Sequence, residues 1–204
     1  MDGVKPGCLL DLHEGHECIL RYLEFFPYLD KTWLGESINY NKIKPVDWLV
    51  SVSGIPFGFM SDMLQLGGNP WRGMVYGITS RYGWTTDGVF CDPTNIWKIW
   101  DSFGIADSKM VGYWEKECPV KTDQPNIYAT IYRKEGKTLI SVASWADKTT
   151  KFSFQFDWKA LGIDPKKATL IAPAIKDFQE PTIFKVGDSI FIEPKKGWLI
   201  VLSD

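Results

Sequence analysis

The chain has 204 residues, 45% hydrophobic and 24% charged, the balance of an ordinary globular protein, which excludes a disordered chain. That length fits one domain or one and a half. The net charge of −2 supplies no electrostatic footprint for nucleic acid, and no apolar run approaches the roughly 18–20 residues of a membrane helix. Neither nucleic acid nor a membrane is therefore expected as a partner. The charge is uneven. Residues 1–117 carry 10 Lys and Arg against 15 Asp and Glu, and residues 118–204 carry 13 against 10. The shift points to two units with different jobs.

Met1 is followed by neither a basic nor an apolar leader segment, so no signal peptide is expected in the chain itself. Residues 8–13, Cys-Leu-Leu-Asp-Leu-His, form a short apolar run that breaks into polar residues, as a buried parallel strand does at its end. Asp11 and His13 then sit at the carboxyl end, where α/β sheets place their ligands. Residues 29–36 read as a second strand closing on Gly35-Glu36. Pro45 suits the first turn of a helix, and residues 59–66 carry apolar side chains at near-helical spacing. Gly67-Gly68-Asn69-Pro70 is a breaker. Residues 72–79 read as a third strand, and residues 94–103 as a helix with Asp92 or Thr94 as cap and Gly104 as terminator.

This alternation is the α/β signature. A (β/α)8 barrel needs roughly 30 residues per unit, so 117 residues hold about three or four units and an incomplete barrel is expected. From residue 118 the period changes to two. Residues 127–132, 139–144, 152–156, 189–192 and 198–202 alternate between turn signals, which reads as an antiparallel β-sandwich. The expected fold is therefore α/β plus all-β: terminal barrel strands over residues 1–117, then a β-sandwich over residues 118–204.

Cys8, Cys18, Cys91 and Cys118 form no C-x-x-C pair and no zinc spacing, so free thiols are expected. The aromatic content of 15%, with ten tryptophans, is high; such flat faces stack on sugar rings and also fill cores. The densest polar cluster is residues 11–17, which holds both histidines. Its order is H-E-x-H rather than the H-E-x-x-H that sets two imidazoles one helical turn apart, so neither a metal nor a cofactor is expected. The plain alternative is a solvated loop. Glu36 is the stronger single candidate: Gly35 frees the backbone for close approach, and Trp33 supplies an apolar wall that raises a carboxyl pKa. Asp11 and Glu36, on consecutive strand ends, are candidates for the carboxylate pair of glycoside cleavage; the plain alternative for Glu36 is an N-cap or a loop salt bridge. The catalytic candidates are thus Glu36 and Asp11. The substrate-binding candidates are His13, Glu14, Trp33, Tyr40 and Arg81. Arg72, at the amino end of the third strand, reads as structural.

Asp11-Leu12-His13, residues 26–30 and 33–36, Ser53-Gly54-Ile55-Pro56-Phe57-Gly58, residues 67–73, Gly112-Tyr113-Trp114 and Cys118-Pro119-Val120 together resemble the final third of a large bacterial glycoside-hydrolase-like family. That family is related to the β-N-acetylgalactosaminidases. The resemblance covers essentially the whole chain. It implies a β-sandwich, a central (β/α)8 barrel and a carboxyl-terminal β-sandwich in full-length relatives, with this chain beginning near the sixth barrel strand and the relatives' catalytic acid lying upstream. A glycan substrate and an upstream barrel portion as partner follow, export is expected of full-length relatives, and this chain alone is expected to be inactive. The alternative from another class is a non-catalytic glycan-binding or structural fragment.

Overall fold

The computed structural model describes residues 7–13, 27–34, 38–64, 68–80 and 92–204. Its amino-terminal part holds a parallel sheet in the order β1 (Asp11–His13), β2 (Lys31–Trp33), β3 (Met60–Ser61). A parallel bridge between Leu64 and Ser80 extends the same progression. No closed barrel is seen among the described residues. Pro45 opens α1 (Pro45–Asp47), which runs on as a π-turn over Trp48–Val52, closed by the Ser53 amide donating to the Trp48 carbonyl at 2.9 Å. Gly54, at φ 70°, ends it.

Two local expectations are corrected. Residues 59–64 are not helical, since Met60–Ser61 is strand β3, and the rest of that expected stretch lies outside the described residues. Residues 72–79 are not a strand. Asn69 accepts the Arg72 amide at its side chain and Pro70 takes the first helical position, so the breaker is a cap that starts α2 (Pro70–Met74). Only Ser80 reaches the sheet. The expected later helix is present as α3 (Pro93–Phe103), capped by Asp92 and stopped by Gly104 at φ 78°.

The carboxyl-terminal part is a six-stranded sheet with every pairing antiparallel. Its members are β4 (Lys109–Val111), β6 (Ile127–Lys134), β7 (Lys137–Ser144), β10 (Thr169–Ala172), β11 (Thr182–Phe184) and β13 (Gly197–Ser203), in the order β11-β10-β13-β7-β6-β4. Two small antiparallel ladders accompany it. One pairs β5 (Val120–Thr122) with β9 (Phe154–Phe156), the other β8 (Thr150–Phe152) with β12 (Ile190–Ile192). A short helix, α4 (Trp158–Leu161), follows β9.

Alternation along the long strands serves two cores. Ile131, Ile140, Val142, Ile200 and Leu202 point to one core with Phe152, Ile190 and Ile192 from the ladders. Phe154 and Phe156 pack against this core too, their rings in contact in sequence with Phe152. Tyr132, Leu139, Ala143 and Leu199 point the other way, into a core shared with Trp48, Trp71, Met74 and Phe103. The sheet is therefore buried on both faces. Among the described residues no helix is long and apolar enough to cross a membrane.

Aromatic stacking joins the two parts. Tyr76 lies between Trp48 (5.5 Å, 8°) and Trp114 (5.6 Å, 5°). Its hydroxyl reaches the Pro45 carbonyl and the Tyr113 hydroxyl, both at 3.0 Å, while the Tyr132 hydroxyl donates to the Met74 carbonyl. Burial pushes the phenols of Tyr76, Tyr113, Tyr128 and Tyr132 above their ordinary 10.0. A phenol raised in this way contributes stability in full below the unfolded value, and the contribution is lost as pH climbs through the folded one. Alkaline titration is expected to show late tyrosinate absorbance that rises only together with loss of the folded circular-dichroism signal. A single smooth titration of all eight tyrosines near pH 10, with the fold intact, is the contrary result.

Candidate functional site

Strand register gathers the site. Asp11 pairs with Lys31 and His13 with Trp33, while Lys31 pairs with Met60 and Thr32 with Ser61. Side chains alternate, so partners in register share a face. Thr32 and Ser61 point to the buried side. Asp11, His13, Lys31, Trp33, Met60 and the Asp62 that follows β3 form the opposite, more exposed face.

This face is polar and ordered by two contacts. His13 stacks on Trp33 with ring centroids 4.3 Å apart and planes 23° apart, at the carboxyl ends of adjacent parallel strands. The Lys31 ammonium donates to Asp62 Oδ1 at 2.7 Å, the only ion pair between described residues. That hydrogen bond and charge, with Asp11 adding to the field, raise the Lys31 pKa. The strand entry is fixed by the Leu10 amide donating to Asp30 Oδ2 at 2.7 Å. The indole N–H of Trp33 is buried and has no hydrogen-bond partner among the described residues. An aromatic platform beside carboxylates and an ammonium suits a sugar: the rings take its C–H face, and the charged groups take its hydroxyls.

Of the expected site residues, Asp11, His13 and Trp33 meet on this face. Tyr40 does not. It is 0% exposed and packs in the core against Trp48 at 5.5 Å, so it offers no surface to a ligand and its place is structural. Glu14, Glu36 and Arg81 lie outside the described residues. Lys31 and Asp62 were absent from the sequence reading. Residues 59–66 pass for a helical stretch by apolar spacing, which hides the strand that Asp62 closes, and the Lys31–Asp62 pair exists only through parallel register across 31 positions. Arg72 is buried, as a structural residue should be. Described cysteines Cys8 and Cys118 are free thiols.

The described residues thus hold a parallel sheet with a polar face at its strand ends and an antiparallel carboxyl-terminal unit. Family comparison adds what the fold alone does not show. Residues 1–83 match the model of the glycoside hydrolase 123 TIM-barrel domain, and residues 92–203 match that of the glycoside hydrolase 123 C-terminal domain. The chain belongs to glycoside hydrolase family 123. The relation to β-N-acetylgalactosaminidases inferred from its motifs fits that membership. No curated protein matches the chain.

Proposed function

We propose that this chain forms part of the glycan-binding wall of a glycoside hydrolase, with the polar face of the parallel sheet turned to the substrate. The observation that carries the reading is the His13–Trp33 stack at the carboxyl ends of β1 and β2, the end of a barrel where ligands bind. The family's principal acid is not assigned to a residue of this chain in this reading. The carboxyl-terminal unit is a β-sandwich in this reading, the two small ladders forming the layer opposite the six-stranded sheet. Asp11, Glu14, Glu36 and Arg81 extend the wall, with Glu36 as a proton donor or a hydroxyl-gripping carboxylate. The substrate class is an N-acetylhexosamine glycan.

The test is a titration of the protein with N-acetylgalactosamine and its β-glycosides, comparing wild type with His13→Ala and Trp33→Phe. His13→Ala removes a stacking ring from an exposed position and is expected to weaken affinity by about 5- to 10-fold, about 1–1.5 kcal/mol for an aromatic pair. Trp33→Phe keeps a ring and is expected to lose less. Unchanged affinity for both variants, with melting also unchanged, would falsify the assignment of this face to the glycan.

A further inference from the structure

A second cavity lies where α2 meets the turn before β11 and the ends of β12 and β13. It encloses about 380 Å³, within the range of small-molecule sites, and shares no residue with the polar face of the parallel sheet. Its floor is the half-buried Phe178 ring, backed by the buried Trp71 indole on which it stacks, centroids 3.7 Å and planes 17° apart. Trp198 stands at its side, fixed by its indole N–H donating to the Phe191 carbonyl at 3.1 Å. Phe191 points outward from β12 and is 65% exposed, while its neighbours Ile190 and Ile192 are buried. The rim carries Glu180, Glu193 and Lys196.

Three features separate this place from an incidental crevice. Asp177 (φ 58°) and Lys195 (φ 63°) are the only non-glycine residues with left-handed backbone among the described residues. Each immediately precedes a wall residue, Phe178 or Lys196. Such conformations are disfavoured for L-residues, less so for Asp, and collect at functional sites. At Gly197 a Cβ would lie 2.2 Å from the Val142 carbonyl oxygen and 3.0 Å from the Trp71 ring. Only glycine therefore lets β13 close against the floor. Gln179 is fully spent on the backbone, donating to Pro173 and Leu199 and accepting from the Leu199 amide. Glu180, Glu193 and Lys196 by contrast make no ion pair with a described residue. The wall is held rigid while its charged rim stays uncommitted.

We propose that this cavity is a second saccharide site, one that takes a neutral pyranose. Flat aromatic faces meet the C–H side of the ring, and the two carboxylates and one ammonium take its hydroxyls. A rim of both signs, with carboxylates in excess, disfavours an anionic ligand. All of its lining except Trp71 lies in the residues matched by the C-terminal domain model, and Trp71 lies in those matched by the TIM-barrel model, so the site holds glycan beside the barrel rather than cleaving it. The ligand class rests on the glycoside-hydrolase reading; the location does not.

The experiment follows indole resonances in ¹H–¹⁵N spectra, with Trp198 identified by Trp198→Phe and Trp33 by Trp33→Phe. The probes are N-acetylgalactosamine, galactose and glucose, each to about 100 mM, where millimolar affinities saturate. A saturable shift of the Trp198 indole is expected with at least one sugar, weakened fivefold or more by Phe191→Ala and by Glu193→Gln and untouched by His13→Ala. Phe191 and Glu193 are exposed, so both variants keep the fold, checked by an unchanged melting temperature. Loss of the Trp33 shift alone sinks the sheet-face reading and leaves this site standing. No Trp198 shift with any sugar overturns the proposal, as does a shift that Phe191→Ala leaves unchanged. A shift produced by a short apolar peptide and by none of the sugars overturns it too.

Discussion

Arg72→Ala is expected to lower the melting temperature by roughly 5–15 °C, the shift that about 2–4 kcal/mol produces in a protein of this size. The guanidinium is 3% exposed. It donates to the Ser144 carbonyl from Nε at 3.2 Å and Nη2 at 3.0 Å, and to the Asn41 carbonyl from Nη1 at 2.9 Å. It also lies 4.5 Å over the Trp145 ring. One side chain on α2 thus ties the segment before α1 to the end of β7. No carboxylate pairs with it among the described residues, and desolvation lowers its pKa to about 10, so it stays protonated at neutral pH. Alanine takes the guanidinium donors from the buried Ser144 carbonyl and the part-buried Asn41 carbonyl and uncovers an indole face, and an orphaned buried acceptor costs about 1–3 kcal/mol. Arg72→Lys keeps the charge but not the planar fork, and should recover only part of the loss. Thermal melting of the three proteins checks this; an alanine variant that melts within a degree of wild type contradicts the clamp.

Glu36→Gln should separate chemistry from binding. Glutamine keeps the size and most of the hydrogen-bonding capacity of glutamate but neither gives nor takes a proton at neutral pH. If Glu36 is a proton donor in the reaction, turnover of an aryl β-N-acetylgalactosaminide by the protein with its whole barrel falls by about 10²–10⁴, with glycan affinity nearly unchanged. If Glu36 grips a hydroxyl, affinity falls by about 1–3 kcal/mol, the worth of a buried charged hydrogen bond, and KM carries the effect. A loss in turnover or in affinity is the expected result. If kinetics and titration both match wild type and only melting moves, Glu36 is a cap and leaves the site.

Helix α3 was legible because its signals are local: Asp92 caps, Pro93 starts and Gly104 stops it. The β6–β7 hairpin was legible for a similar reason, with clean alternation on both sides of Gly136 at φ 69°. Strands β4 and β11 were not. Three residues are too few to display a period, and what holds them extended is the neighbour they pair with. The stretch around α2 misled because Val75, Tyr76 and Ile78 favour strands, while what decides is the Asn69 cap and burial on every side. Half of the candidate face was foreseen from the idea that strand ends carry ligands. Asp11, His13 and Trp33 were placed at strand ends by that idea, and the structure has them on one face. Lys31 and Asp62 did not, because the contact that joins them is a product of sheet register, which a linear reading does not contain. Tyr40 erred the other way: a tyrosine just past a strand end resembles a wall residue, and the fold turns it inward.

The six-stranded sheet is lined by Leu139, Ala143 and Leu199 on one side and by Ile140, Val142 and Ile200 on the other. A wall shared by two rooms cannot be moved with only one of them. Cut free at residue 92, where the match to the C-terminal domain begins, the carboxyl-terminal unit would present its inward-facing apolar surface, Tyr132 included, to water. Helix α2 would lose the cover over Trp71. The unit is therefore not a portable module of the kind that recombination shuffles between unrelated enzymes. It travels with the strands it covers, which is the physical ground for finding both domain signatures of this family side by side in one chain.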